Sequence, residues 1–301
     1  MQQPSAAQSC CGGTGAFVGG IERGNLQVGT FIAGVVYSYT AMERTLAGSR
    51  PVPNPNGSIA ATHAINLEVE LAPSDRWSIL VVLPFTDKFR TVSVSTGTTT
   101  LSQRYHAAGI SDVFGLAKYT ILPSSPLVPW NVAIGAGVKA PTGSYRVSAN
   151  GVELPLDVQP GTSSWDGIAW ALVSYRVPSP GMQATLSTLL RQPGENINGR
   201  QMGTDLQALL TVTVTEWDTP FIPVLLSRCR WTASDRQNDR IIAATGTFRL
   251  ELLPSVAVML GQEWVGRLGL QLPVYERTNG VQLVPSWGVF AELRASMRVW
   301  E

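Results

Sequence analysis

The sequence predicts an all-β fold: a transmembrane, antiparallel, up-and-down β-barrel of about twelve strands, with short periplasmic turns and longer extracellular loops. Three observations lead there. Apolar and polar residues alternate with a period of two over segments of about a dozen residues, the length of a tilted bilayer-crossing strand. The breaks between segments alternate long and short down the chain. Tryptophans stand beside the short breaks, at Trp77, Trp130 and Trp217, where an interfacial aromatic girdle would lie.

Twelve segments follow from the breaks: 26–42, 59–72, 77–92, 111–122, 130–140, 164–177, 182–191, 203–215, 220–231, 240–253, 256–273 and 285–300. The short breaks are 71–77, 122–130, 177–181, 216–220 and 252–256, each carrying proline. Proline removes a ladder donor and suits a turn. The long ones are 43–58, 93–109, 141–163, 191–202, 231–239 and 275–284. Period two is plain in "ATGTFRLEL", where Thr245, Thr247, Arg249 and Glu251 alternate with Gly246, Phe248, Leu250 and Leu252. It recurs where Glu68 and Glu70 alternate with Leu67, Val69 and Leu71, and where Glu292, Arg294 and Arg298 alternate with Leu293, Ala295 and Met297. A soluble sandwich would show the same alternation, but its strands usually run about 5–6 residues. An even strand number returns both ends of the barrel to one side. The expected division is therefore an N-terminal periplasmic tail at 1–25 and a barrel at 26–301.

Composition agrees. The chain has 301 residues, 22 basic against 21 acidic side chains and a formal net charge of +1. That near-balance argues against nucleic acid as a partner. Charged residues are 14%, against roughly 25% in soluble domains. No apolar run reaches the ~18–20 residues of a spanning helix, and "MQQPSAAQSCC" lacks the basic start and apolar core of a secretion leader.

Several stretches resemble the outer-membrane barrel family linked to meta-pathway phenol degradation, often labelled transporters. They are "GISDVFGLAKY", "GAGVKAPTGSY", "PGTSSWDGIAWAL" and "LPVYERTNGVQL", in that order along most of the chain. The resemblance implies a bacterial outer-membrane location and passage of small, often hydrophobic or aromatic compounds. The adjacent Cys10 and Cys11 depart from that family's bare barrel pattern.

No catalytic residue, cofactor or metal site is expected. Cys10, Cys11 and Cys229 have no neighbouring histidine to complete a metal set. His63 and His106, the two histidines, have no identifiable serine partner for hydrolysis. The informative residues are the charges whose parity points inward: Glu68, Glu70, Lys118, Lys139, Arg249, Glu251, Glu263, Arg267, Glu292, Arg294 and Arg298. Mixed signs argue against strong ion selectivity, which uses rings of one sign. The expected function is a passive channel or transporter for small molecules, in contact with outer-membrane lipids and a small-molecule solute. The alternative is a non-conducting structural or docking barrel that holds a protein partner through the Cys10–Cys11 tail or the extracellular loops. The loop at 141–163, with its apolar "VELPLDVQP", is expected to fold inward and control access.

Overall fold

The computed structural model describes residues 8–9, 19–24, 26–54, 57–96, 99–149, 151–177, 181–214 and 219–300, with backbone alone at 8–9, 94–96 and 99–101. Among them, twelve strands close into one antiparallel barrel. These are β1 (Thr30–Ala47), β2 (Ile59–Leu71), β3 (Trp77–Thr96), β4 (in two pieces, Thr99–Ile110 and Phe114–Leu122), β5 (Trp130–Lys139) and β6 (Asp166–Val177). Then come β7 (Met182–Pro193), β8 (Asp205–Val214), β9 (Phe221–Thr232), β10 (Thr247–Leu260), β11 (Trp264–Thr278) and β12 (Val281–Arg298). Each pairs with its sequence neighbour. β12 returns to β1, from Thr30 opposite Arg298 to Ala47 opposite Val281, and so leaves no free edge around the wall.

Alternation determines which face meets what. On β10, Thr247, Arg249, Glu251, Leu253, Ser255 and Ala257 are buried, while Leu252 and Val256 between them are exposed. The same holds on β2, where Asn66, Glu68 and Glu70 are buried and Ile65, Leu67 and Val69 exposed. The exterior is thus a continuous apolar surface. In water a surface that size would drive association; in a bilayer it faces hydrocarbon. Aromatic pairs cap it at the short-turn end, where the exposed Trp77 packs against Tyr119 at 5.0 Å and Trp130 against Tyr175 at 4.6 Å. Trp217 lies outside the described residues.

The expected number of strands is found, but the expected segment 256–273 joins the end of β10, a turn and most of β11, and three breaks are of another kind. The stretch 252–256 is the middle of β10, with Pro254 opposite Leu225. Alternation runs straight through it, although the ladder to β11 skips Leu253 and Pro254 between Leu252 opposite Leu272 and Ser255 opposite Gly269; the real turn is Gly261–Glu263. The stretch 275–284 is a tight connection at Asn279–Gly280, with Gly280 at φ 76°. The Asn-Gly pair itself is the signal for such a hairpin. The stretch 93–109 is strand rather than loop, because β3 and the first piece of β4 continue as a ladder from Phe85 opposite Ile110 to Thr96 opposite Thr99.

The N-terminal expectation also changes. Gly19–Gly24 are not an external tail: a single 3-10 turn at Gly20–Glu22 sits inside the barrel, with Ile21 buried. Gln8–Ser9 pair in parallel with Gln282–Leu283 on β12. The segment has no strand period because its partners surround it on all sides.

Candidate functional site

The lumen is layered. From the long-loop end toward the short turns, the inward residues of β3 are Arg90, Lys88, Thr86, Pro84, Val82, Leu80 and Ser78. Those of β6 are Asp166, Ile168, Trp170, Leu172 and Ser174. Charge stands at the top, apolar bulk in the middle and hydroxyls below.

The upper layer is a chain of ion pairs running from strand to strand. Lys139 on β5 meets Asp112 at 2.7 Å and Asp166 at 3.3 Å. Arg191 on β7 bridges Asp166 at 3.6 Å and Asp205 at 3.3 Å, and Arg230 on β9 holds Asp205 at 2.8 Å. Farther round, Arg228 pairs with Glu251 at 2.6 Å, while Arg249 and Arg44 each meet Glu276 at 2.8 Å. Pairing matters because a buried charge without a partner costs several kcal/mol on the order of a lost ion pair.

Beneath it lies an apolar belt. Leu80, Leu116, Ile168, Trp170, Leu189, Leu209, Leu226, Leu253 and Phe290 all face inward and pack into one cluster with Ile21. A water-filled pore lines its whole circumference with polar side chains; here the polar side is confined to part of it, where Glu68 and Glu70 stand opposite Val82 and Leu80.

The N-terminal turn is held in the belt by the wall on several sides. Gly20 N–H donates to Glu68 Oε2 at 2.9 Å, and the Trp170 indole N–H donates to the Ile21 carbonyl at 3.0 Å. Lys118 Nζ reaches the Gly20 carbonyl at 2.6 Å and Glu70 at 2.7 Å. Arg23 pairs with Glu70 at 3.0 Å and Glu68 at 3.2 Å, and Glu22 with Arg267 at 3.2 Å. Both glycines leave room for wall side chains, and Gly19 also takes a backbone conformation that favours glycine. Gly19 has φ 118°, and a Cβ there would stand 2.7 Å from Glu68 Oε2; one on Gly20 would stand 2.6 Å from Leu80. The turn divides the lumen. On the short-turn side a cavity of about 350 Å³ borders Glu22, Arg267, Thr211 and Met259.

On the other side the connection between β5 and β6 forms a lid. Leu154 and Val158 bury against Ala107, with Tyr105 and Val147 flanking. Asp157 pairs with Arg90 at 2.5 Å, and the Gln159 carbonyl accepts from Lys88 at 2.7 Å. A cavity of about 60 Å³ remains between the lid and the belt. Removing 147–158 touches no barrel strand, so the barrel should still assemble and its single-channel conductance in a planar bilayer should rise at least twofold. Unchanged conductance in the folded deletion would leave the Ile21 turn as the sole narrowing.

Of the charges expected in the lumen, the wall buries Glu68, Glu70, Lys118, Lys139, Arg249, Glu251 and Glu292, and it nearly encloses the Arg267 side chain. Arg294 is partly exposed and meets Glu292 at 3.4 Å. Glu263 must be corrected: it lies exposed in the Gly261–Glu263 turn, because β10 runs beyond the point where the segment seemed to end. Arg298 lies exposed at the end of β12, bonded to Gln27. Sequence reading missed the belt and the inward turn. The belt's signal was there in "SILVVLPF" and "AWALV", where both parities are apolar. His63 and His106 lie on the outer face, the first bonded to Tyr37 at 2.9 Å and the second to Asp87 at 2.6 Å. Among the described residues neither bonds a serine hydroxyl. Cys10 and Cys11 lie outside the described residues, and Cys229 is a free thiol.

No family model and no curated protein matches the chain. Among solved structures, an outer membrane channel from Pseudomonas putida F1 aligns with a TM-score of 0.71 at 12% identity, over 94% of this chain and 100% of that one. The beta domain of the Bordetella autotransporter Brka matches at 0.45 and 15% identity, over 88% of this chain and 100% of that one. CymD, a monoaromatic hydrocarbon channel, matches at 0.43 and 11% identity, over 92% and 90%. At such identities the likeness is one of fold, and it rests on the first of the three. The chain is an outer-membrane β-barrel, and its apolar, aromatic-capped exterior suits the bacterial outer membrane.

Proposed function

We propose that the barrel is a passive outer-membrane channel for small, neutral, largely apolar molecules. The inward apolar belt carries this reading. A solute crossing it exchanges water for Leu, Ile, Trp and Phe side chains, which favours apolar solutes by roughly 25 cal/mol per Å² of apolar surface removed from water. Ions and sugars gain nothing there and lose hydration. The stretches that resemble the phenol-degradation family agree with an aromatic solute. No step requires covalent chemistry. The proposed lumen residues, Glu68, Glu70, Lys118 and Glu292 around the turn and Lys139, Arg249 and Glu251 above, hold the turn and the mouth in place rather than select a charge. Passage requires the Gly19–Gly24 turn to shift, since Ile21 fills the belt.

The test is uptake of radiolabelled toluene by Gram-negative cells, whose lipopolysaccharide leaflet slows its entry, with and without this chain in the outer membrane. Several-fold faster uptake of toluene, with no gain for a sugar of similar size, is expected. Equal rates with correctly folded barrel would overturn the channel and favour the non-conducting docking barrel, which the dense pinning of the lumen also suits.

A further inference from the structure

We infer that the N-terminal segment is a strap threaded through the whole lumen, entering at the long-loop mouth and leaving at the short-turn end, so that it withdraws only toward the periplasm. Its contacts along β12 come in order from top to bottom. Gln8 and Ser9 pair with Gln282 and Leu283, at the start of that strand. Arg23 Nη1 stands 4.0 Å from Glu292 Oε1, at the level of the turn. Lower still, the Gln27 side chain accepts from Arg298, and the Gly29 carbonyl accepts from Val299 N–H at 2.8 Å. The pairing at Gln8–Ser9 is parallel. A chain climbing from the periplasm at that point would run antiparallel to β12, so the residues before Gln8 arrive from outside.

The top of β12 offers the strap an edge. β1 takes one side of β12 from Val281 to Arg298, but β11 pairs with the other only from Gly288 to Ala295. Above Gly288 that side has no ladder to β11, and an open strand edge is a template for an added strand. The same piece leaves the alternation of the wall, with Gln282, Leu283, Val284 and Pro285 buried in succession. Thr278 N–H, at the end of β11, donates to the Gly48 carbonyl just past β1 at 3.0 Å, so the two neighbours of β12 meet across it. Length agrees. Leu283 and Glu292 are nine residues apart on one strand, about 30 Å at ~3.3 Å each. Ser9 and Arg23 are fourteen residues apart, a reach of up to about 46–50 Å. The lower end of the strap continues into β1, so pulling it out through the long-loop mouth would unpair that strand. Withdrawal toward the periplasm breaks the Gln8–Ser9 ladder and the bonds of the turn, and no pairing of the wall. The threading holds for a conducting or a silent barrel; its effect on flow rests on the channel reading.

Two measurements test the path, and a third tests the direction of release. With p-benzoylphenylalanine in place of Ser9, illumination of the protein in outer membranes should crosslink it to β12 between Val281 and Ser286, mapped by mass spectrometry. In a chain freed of its own thiols by Cys10→Ser, Cys11→Ser and Cys229→Ser, Gln3→Cys should react on intact cells with a maleimide-polyethylene glycol too large for porins. Its labelling should exceed that of Glu263→Cys, in the exposed Gly261–Glu263 turn, at least tenfold until the outer membrane is permeabilised. Crosslinks confined to 292–298, or labelling of Gln3→Cys only after permeabilisation, would overturn the threading. For the direction, Gln3→Cys is biotinylated and the barrel placed in a planar bilayer. Streptavidin added on the long-loop side should make openings at least tenfold rarer, because the capped strap no longer passes through the lumen. Unchanged openings of capped barrels would overturn release toward the periplasm. Crosslinks at the top of β12 with no conductance in any sample would leave the strap standing and remove the channel.

Discussion

Glu70→Ala is expected to cost the barrel about 3–5 kcal/mol, the penalty for leaving buried charges without their partner. Glu70 is fully buried and accepts from Lys118 at 2.7 Å, Arg23 at 3.0 Å and Ser78 at 3.0 Å. Its removal affects the two cations differently. Arg23 belongs to the N-terminal segment and can leave the lumen with it, regaining water. Lys118 is fixed on β4 and keeps the face of Trp170 at 5.1 Å and the carbonyls of Gly20 and Arg23, at 2.6 and 3.3 Å, of which the carbonyls depart with that segment. The loss should therefore appear twice: as a lower urea midpoint for unfolding from lipid vesicles, and as a higher conductance from barrels that stay folded. Glu70→Ala combined with Lys118→Met should recover part of the stability, because a paired apolar replacement leaves no orphan charge. If the single variant matched wild type in both midpoint and conductance, the cluster would not be what holds the turn in the lumen.

What could be read from the chain follows from which interactions are local. Parity is local, so Arg249, Glu251, Glu68 and Glu70 point inward both in the sequence pattern and in the structure. Strand positions were legible for the same reason, except where proline was given more weight than periodicity. Pro254 stops nothing, since Leu253, Ser255 and Ala257 continue the buried face across it. Asn279-Gly280 shows the opposite error, a strong two-residue turn signal hidden inside a polar stretch. The ion-pair chain was not legible at all. That Lys139 answers Asp112 and Asp166, or that Arg191 answers Asp205, depends on the register between successive strands, which the loops joining them do not reveal. The inward turn was least legible. "GGIER" has too few residues for a period, and the reason for its two glycines, the close approach of Glu68 and Leu80, lies on strands β2 and β3.

Depth in the membrane should decide what a charge on the outer face costs. Leu252→Arg is expected to destabilise the barrel by about 2–4 kcal/mol, and Leu260→Arg on the same strand and face by about 0–1 kcal/mol. Both leucines are exposed on the exterior, at 37% and 51%. Leu252 sits mid-strand, opposite Leu272 on β11 and Ser227 on β9, with Leu206, Leu210 and Leu225 on the outer faces nearby. A guanidinium there must snorkel past several turns of apolar wall or thin the bilayer around it. Leu260 is the last residue of β10, opposite Trp264, whose indole marks the interface. Arginine there reaches headgroups directly. The comparison keeps strand, face and substitution constant and varies only depth, so folding propensity cancels to first order. Unfolding midpoints in vesicles of fixed lipid thickness would read the difference. Equal penalties would mean that the middle of β10 is not at the bilayer centre, and a larger penalty for Leu260 would invert the placement of the barrel in the membrane.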